Sequence, residues 1–217
     1  MRRFDPRVRL PGFITSLYKG VVWRFSETEP TVYLTFDDGP IPEMTPWVLD
    51  ILRNEDIRGT FFCVGENVMK YPEVYQRILN EGHSVGNHTF SHCQGLKTND
   101  QEYFSDIEKA AGYIDSDLFR PPHGWMRFSQ YLFLKTQFRI MMWDVISCDY
   151  DARFSSEKVF SNITEFVRPG SILTFHDSIK AKRNLTETLL PAIRWMKENG
   201  YQFEAIPYNK RMNNELP

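Results

Sequence analysis

Cysteine is scarce in this chain: 217 residues contain three, Cys63, Cys93 and Cys148, with no C-x-x-C spacing. That excludes a disulfide framework and a thiolate zinc cluster. A basic excess is missing as well. Lys and Arg number 26 against 28 Asp and Glu, a formal net charge of −2, which argues against a nucleic-acid partner. No stretch approaches the ~20 apolar residues that a membrane-spanning helix needs. Arg2 and Arg3 resemble the start of a signal peptide, but residues 13–18 include Thr15 and Ser16 and are cut by Lys19. That is too short for an apolar signal core, so the expected compartment is the cytoplasm, with a trimmed leader as the alternative. Internal repeats, low-complexity tracts and Gly/Ser/Pro-rich linkers are also missing, and the length suits one domain with a sizeable core.

What is present is alternation. Short apolar runs at 32–36, 60–64, 84–87, 118–120, 140–143, 171–175 and 202–206 are β-branched or aromatic, or are bounded by turn residues, like buried parallel strands. Helix-like stretches lie between them. Thr45 before Pro46 predicts a cap with proline in the first turn. Pro72 opens a second helix that Gly82 stops. Asn99 or Asp100 caps a third, with Phe104, Ile107 and Ala111 inward. Ser155 or Ser156 caps a fourth, and a last helix carries Leu189 to Met196, kinked or starting late because of Pro191. About seven strand–helix repeats make an α/β fold, either an open doubly wound sheet or a closed barrel.

The residues after each strand carry the chemistry. Asp37-Asp38-Gly39-Pro40 follows the first run and His88-x-x-x-His92 the third. Pro121-Pro122-His123-Gly124-Trp125 follows the fourth, Asp144 and then Asp149 the fifth, and His176-Asp177 the sixth. Strand C-termini in parallel α/β folds share one face, where active sites gather. Taken singly, Asp-Asp-Gly-Pro is an ordinary turn, H-x-x-x-H an accident of spacing, and His83 a structural histidine entering its strand. Together they place carboxylates and imidazoles on one face. Two histidines and one carboxylate make a His₂Asp metal shell with a position left open for water. A second carboxylate can take the proton of that water, so Asp37 and Asp38 can divide the two tasks, and His176 can protonate a leaving group. Trp125 and Trp143 stand near these motifs, either stacking on a sugar ring or packed as core.

Thr35-Phe36-Asp37-Asp38-Gly39-Pro40, His88-Thr89-Phe90-Ser91-His92, Arg120-Pro121-Pro122-His123-Gly124 and Thr174-Phe175-His176-Asp177-Ser178 resemble, in order and spacing, the signature motifs of the polysaccharide deacetylases (NodB-homology, carbohydrate esterase family 4). The resemblance implies a distorted (β/α)7, TIM-like barrel over residues 31–207, with a leader (1–30) packed on or flanking it and a tail (208–217). It implies Asp37 as general base, Asp38, His88 and His92 as metal ligands, and His176 as general acid. Arg120 would orient the base, and the backbone N–H of His123 would form part of an oxyanion hole, with Pro122, Trp125 and Trp143 beside the substrate. One divalent metal is implied, zinc first, with cobalt or nickel as alternatives. The implied substrate is an N-acetylated glycan of the N-acetylglucosamine type.

Two departures from the family pattern stand out. In the stretch Trp143-Asp144-Val145-Ile146-Ser147-Cys148-Asp149-Tyr150, Ile146 falls where the family has an aspartate expected to tune the histidine. This weakens the expected support for His176, with Asp144 and Asp149 as candidate substitutes. His123 also replaces a common tyrosine. The competing readings are a metal hydrolase of a non-sugar amide or imide, a catalytically silent carbohydrate-binding protein and a two-carboxylate glycosidase. The last fits adjacent aspartates beside paired histidines poorly.

Overall fold

The computed structural model describes residues 5–26 and 28–211. Arg2 and Arg3, Glu27 and tail residues 212–217 lie outside the described residues. The central strand β1 (Thr31–Asp37) is flanked by β2 (Thr60–Cys63) and β7 (Ile172–His176). Parallel pairing continues through β3 (Ser84–Asn87), β4 (Leu118–Phe119) and β5 (Arg139–Ile140) on one side, and to β6 (Val145–Ile146) on the other. The sheet order is β5-β4-β3-β2-β1-β7-β6, with β8 (Gln202–Phe203) paired to the start of β1. Seven parallel strands curl into the expected distorted barrel of a single domain. Helices α2 (Thr45–Asn54), α3 (Gly65–Lys70), α4 (Pro72–Asn80), α5 (Asp100–Ala111), α6 (Phe128–Gln137), α7 (Ser156–Phe166) and α8 (Lys182–Glu198) connect the strands.

Period-two alternation sorts the strand residues. Leu34, Phe36, Phe61, Leu173 and Phe175 point outward into the large core under the helices. Phe62, Leu118, Met141 and Ile172 form a smaller apolar cluster with Ile206. Gly86 makes room for it, since a Cβ there would meet the Phe62 ring at 2.5 Å. Toward the strand C-termini the same inner positions turn polar: Thr35, Asp37, Arg120 and Thr174. The interior is thus apolar at one end and charged at the other.

The leader contributes to the sheet. Val22 bridges Met141 in parallel and Arg24 bridges Ser171 in antiparallel sense, while Val8 is fully buried in the main core. Between them lies the short helix α1 (Gly12–Thr15).

Several local expectations need correction. Residues 140–143 do not form one strand. After β5 the chain leaves its neighbour β4, bonds the leader (Met142 N–H to Val22 O, 2.8 Å), then joins β7 as β6 through Asp144 N–H to Ile172 O at 3.0 Å. Helix α2 is preceded by Met44, and the Thr45 hydroxyl, expected to cap, bonds Asp177 instead. In α5 the buried face is Tyr103, Ile107 and Ala110, so Phe104 and Ala111 lie off its centre. Helix α8 does not start late but runs from Lys182 through Pro191, which sits on its exposed side, so the Glu187 carbonyl left without a helical donor is on the solvent face. The Asn99 and Ser155 caps form as expected.

Candidate active site and metal centre

Asp37, the last residue of β1, is held by Arg120, which follows β4 across the barrel. The Arg120 guanidinium is fully buried, and its Nη1 donates to Asp37 Oδ1 at 2.7 Å, Thr35 Oγ1 at 2.8 Å and Thr174 Oγ1 at 3.1 Å. Its Nε and Nη2 donate to the carbonyls of Met141 and Met142, and it lies 4.0 Å from the Phe62 ring centroid. Every arm of the fork is therefore used, and Arg120 can hold Asp37 in one orientation. Burial pulls the Arg120 pKa down, against the pull of Asp37; so strong a base still stays charged.

The next residue, Asp38, has a positive φ of 85°, which turns its side chain toward the β3 loop. Its Oδ1 lies 3.2 Å from His92 Nε2 and 3.8 Å from His88 Nε2. One ligand atom from each of the three residues lies within 4.8 Å of the others. The buried His88 ring places Nδ1 2.7 Å from the Arg120 carbonyl. Since a carbonyl only accepts, Nδ1 carries the hydrogen and the neutral ring leaves Nε2 bare toward Asp38. Burial, above all, lowers the His88 pKa to about 4. For Asp38 burial acts upward, but the hydrogen bond to His92 and the charge of His176 outweigh it, holding the carboxyl well below its usual range. An ionised carboxylate and a bare imidazole nitrogen suit zinc or another borderline divalent metal.

Two residues not expected from the sequence shape this loop. Asp106 on α5 accepts from the backbone N–H groups of Phe90 (2.7 Å) and Ser91 (3.0 Å) and from the Ser91 hydroxyl (2.8 Å). Asn67 on α3 donates to the Asp38 carbonyl at 2.8 Å. Thr89, His92, His123 and Cys148, like Asp38, have positive φ, so five of the six such non-glycine residues in the described chain sit at the strand C-termini. Strain of this kind gathers where a site dictates the backbone.

His176, the register partner of Asp37 across the β1–β7 pair, completes the set. Its Nδ1 lies 2.8 Å from Asp149 Oδ1, and its N–H donates to Asp149 Oδ2 at 2.9 Å. Asp149 thus supplies the carboxylate that Ile146 lacks, and the expected loss of support for His176 does not occur. Burial opposes a charged His176, but Asp149, then Asp38 and Asp37, outweigh it and push the pKa up to about 9. Asp144 takes no part: Arg9, Arg168 and Ser171 bind its carboxylate. The buried Asp177, next to His176, accepts from the Gly39 N–H at 3.1 Å and bonds Thr45. Burial pushes its carboxyl up to about 8. Gly39 is required there, because a Cβ would come within 2.1 Å of Asp177 Oδ2.

The remaining candidates lie around the rim. Pro122, His123 and Gly124 form a 3₁₀ turn in which His123 has φ 60°, with its ring 4.9 Å from that of His92. The indole of Trp143 packs against Gly124, whereas Trp125 is 52% exposed. His83 stays apart from the site: it is buried and accepts from the Gly59 N–H through Nδ1, as a structural histidine should. The three cysteines are unpaired.

Comparison with known proteins identifies the relatives of the chain. The family model for polysaccharide deacetylases matches residues 26–132. A peptidoglycan-N-acetylglucosamine deacetylase of Bacillus cereus is 35% identical over 188 residues, 81% of this chain and 66% of that protein. The peptidoglycan-N-acetylmuramic acid deacetylase PdaA of Bacillus subtilis is 33% identical over 190 residues, 82% of this chain and 70% of its own. The chain thus spans about two thirds of the length of these relatives. The crystal structure of the Bc1960 peptidoglycan N-acetylglucosamine deacetylase superposes with a TM-score of 0.83 at 31% identity, covering 91% of this chain and 95% of that one.

Proposed function

The chain belongs to the polysaccharide deacetylase family, and from that premise we propose that it is a metal-dependent hydrolase removing N-acetyl groups from an N-acetylated sugar of the N-acetylglucosamine type. The observation that carries this reading is the pairing of Asp37 with His176 on neighbouring strands, each locked by a charged partner, beside the Asp38–His88–His92 triad. Asp38, His88 and His92 would hold one divalent metal, zinc in the first instance. When bound, such an ion supplies Lewis acidity, polarising an acyl oxygen and lowering the pKa of water.

Asp37, oriented by Arg120, takes a proton from the attacking water. The water oxygen bonds to the acetyl carbon, and in this reading the backbone N–H of His123 donates to the oxygen on which negative charge develops. His176, held charged by Asp149, gives its Nε2 proton to the amide nitrogen as the C–N bond breaks. The products are acetate and a free amino sugar. Both proton carriers return to their starting states when the proton held by Asp37 passes to solvent and His176 is reprotonated.

Acetate release from a panel of N-acetylated oligosaccharides tests the reading. It is expected to disappear with a chelator and return with added zinc or cobalt. Turnover indifferent to the chelator, or no acetate from any N-acetyl sugar with metal present, would overturn it.

A further inference from the structure

Asp38 reaches the two histidines of the triad from a backbone held at φ 85°. For a residue with a Cβ this conformation is uncommon and persists only where the surroundings enforce it. The dihedrals φ and ψ are rotations about Cα between two rigid peptide planes. Whatever fixes the planes on either side of Asp38 therefore fixes the direction of its side chain.

Asp177 grips both planes. Its own N–H donates to the Asp37 carbonyl at 3.1 Å, on the plane before Asp38. Its Oδ1 accepts from the Gly39 N–H at 3.1 Å, on the plane after it. That second plane is also held at its opposite edge, where Asn67 donates to the Asp38 carbonyl.

The carboxyl cannot turn away from this task. Its Oδ2 bonds the Thr45 hydroxyl, and Thr45 Oγ1 in turn accepts from the Ile41 N–H at 2.9 Å. The clamp is thus anchored on the first residue of α2. Asp177 is 1% exposed and Thr45 is fully buried, so water has no access to replace either bond. At its other end Asp177 is fixed by β7, whose last residue, His176, is paired in register with Asp37.

We propose that Asp177 is a positioning residue for the metal centre: it sets the backbone of Asp38 and so aims the Asp38 carboxylate at His88 and His92. This rests on the metal-dependent reading and adds to it the residue that shapes the ligand set. An Asp177 that served the fold alone would lower stability when removed, but would leave metal affinity unchanged in the protein that folds.

Metal binding to the full chain tests the proposal, with zinc Kd measured by competition against a chromophoric chelator. The visible absorption of the cobalt-loaded protein reports ligand geometry alongside it. Asp177→Ala keeps the N–H to Asp37 but frees the Gly39 plane. Removing a partner that orients a metal ligand typically weakens binding by about 10–100-fold, and a loss of that size is expected together with an altered cobalt spectrum. Asp177→Asn, whose amide oxygen can still accept from Gly39, should restore most of the affinity. Thr45→Val removes only the hydroxyl, and should weaken binding by about threefold. Circular dichroism confirms that each variant is folded, and if Asp177→Ala is not, Thr45→Val decides. An unchanged Kd and cobalt spectrum in the folded Asp177→Ala protein, or in Thr45→Val where that variant decides, would overturn the proposal and leave the metal-dependent reading intact. Asp177→Asn binding as weakly as Asp177→Ala would overturn it as well. If the unaltered protein binds neither zinc nor cobalt, the reading and the proposal fall together. Because metal binding needs no substrate, failure to release acetate from any sugar leaves this test standing.

Discussion

Two kinds of charged arrangement meet at the top of the barrel. In the pairs Asp37–Arg120 and His176–Asp149 each anion has its cation at 2.7 and 2.8 Å, and all four side chains are 12% exposed or less. In the triad, Asp38 faces two imidazole nitrogens, with its own side chain 26% exposed and that of His92 33%. The pairs are electrically complete without any addition, whereas the triad presents three ligand atoms toward one point. The difference separates fixed parts, set by folding, from an open part set by what binds. A buried pair broken on one side leaves a lone charge in a low dielectric, whereas the triad can change its occupant without disturbing the strands beneath it.

Breaking the fixed side should have the largest effect. Arg120→Ala leaves Asp37 buried without a partner, and a loss of about 3–5 kcal/mol in denaturant-measured stability is expected together with loss of activity. Asp37→Asn keeps the hydrogen bond but removes the base. It should lower kcat by about 10²–10⁴-fold while bound metal, measured by elemental analysis, stays near one per chain. Full activity would show that Asp37 is not the base.

Emptying the open side should cost less stability. Chelation should abolish turnover yet lower the unfolding free energy by only about 3 kcal/mol if metal had been present at 100 times its Kd.

The smallest effect is also the most diagnostic. Asp149→Asn should lower the pKa of His176, moving the alkaline limb of kcat down by at least about one pH unit, worth about 1.4 kcal/mol. His176 is raised from 6.5 to about 9 on folding. The stability contributed by its pair is therefore fully present below pH 6.5 and lost as pH rises through about 9. Asp149→Asn should abolish that decline, and an unchanged alkaline limb would remove Asp149 from the mechanism.

The residues brought together at the barrel mouth were legible because each follows a strand, and strand ends are local signals. Asp37, Asp38, His88, His92, Arg120 and His176 all stand where alternation and motif spacing put them. Asp149 was visible only as one of two candidates. The choice depended on the chain passing from β5 to β6, a change of neighbour that leaves no mark in the apolar pattern of residues 140–146. Asp106 carried no signal at all. It lies fourteen residues beyond His92, on a helix whose polar positions look solvated, and reaches the loop only through tertiary packing. Asp177 carried no role in the sequence beyond following its strand, and only the close approach of Gly39 explains its place. The role of the leader as a sheet element was hidden by its irregular, mixed composition.

That leader has a consequence for how the molecule is made. Val22 and Arg24 leave the ribosome before β1, but their bridging partners Met141 and Ser171 follow only after strands β1 to β5 have emerged. The central strand β1 waits equally long for β7. Seam and centre of the barrel are therefore both joined late, by contacts of high sequence separation, which slow folding and leave strand edges bare in the meantime. The nascent chain should be most vulnerable to proteases and to aggregation until β7 emerges.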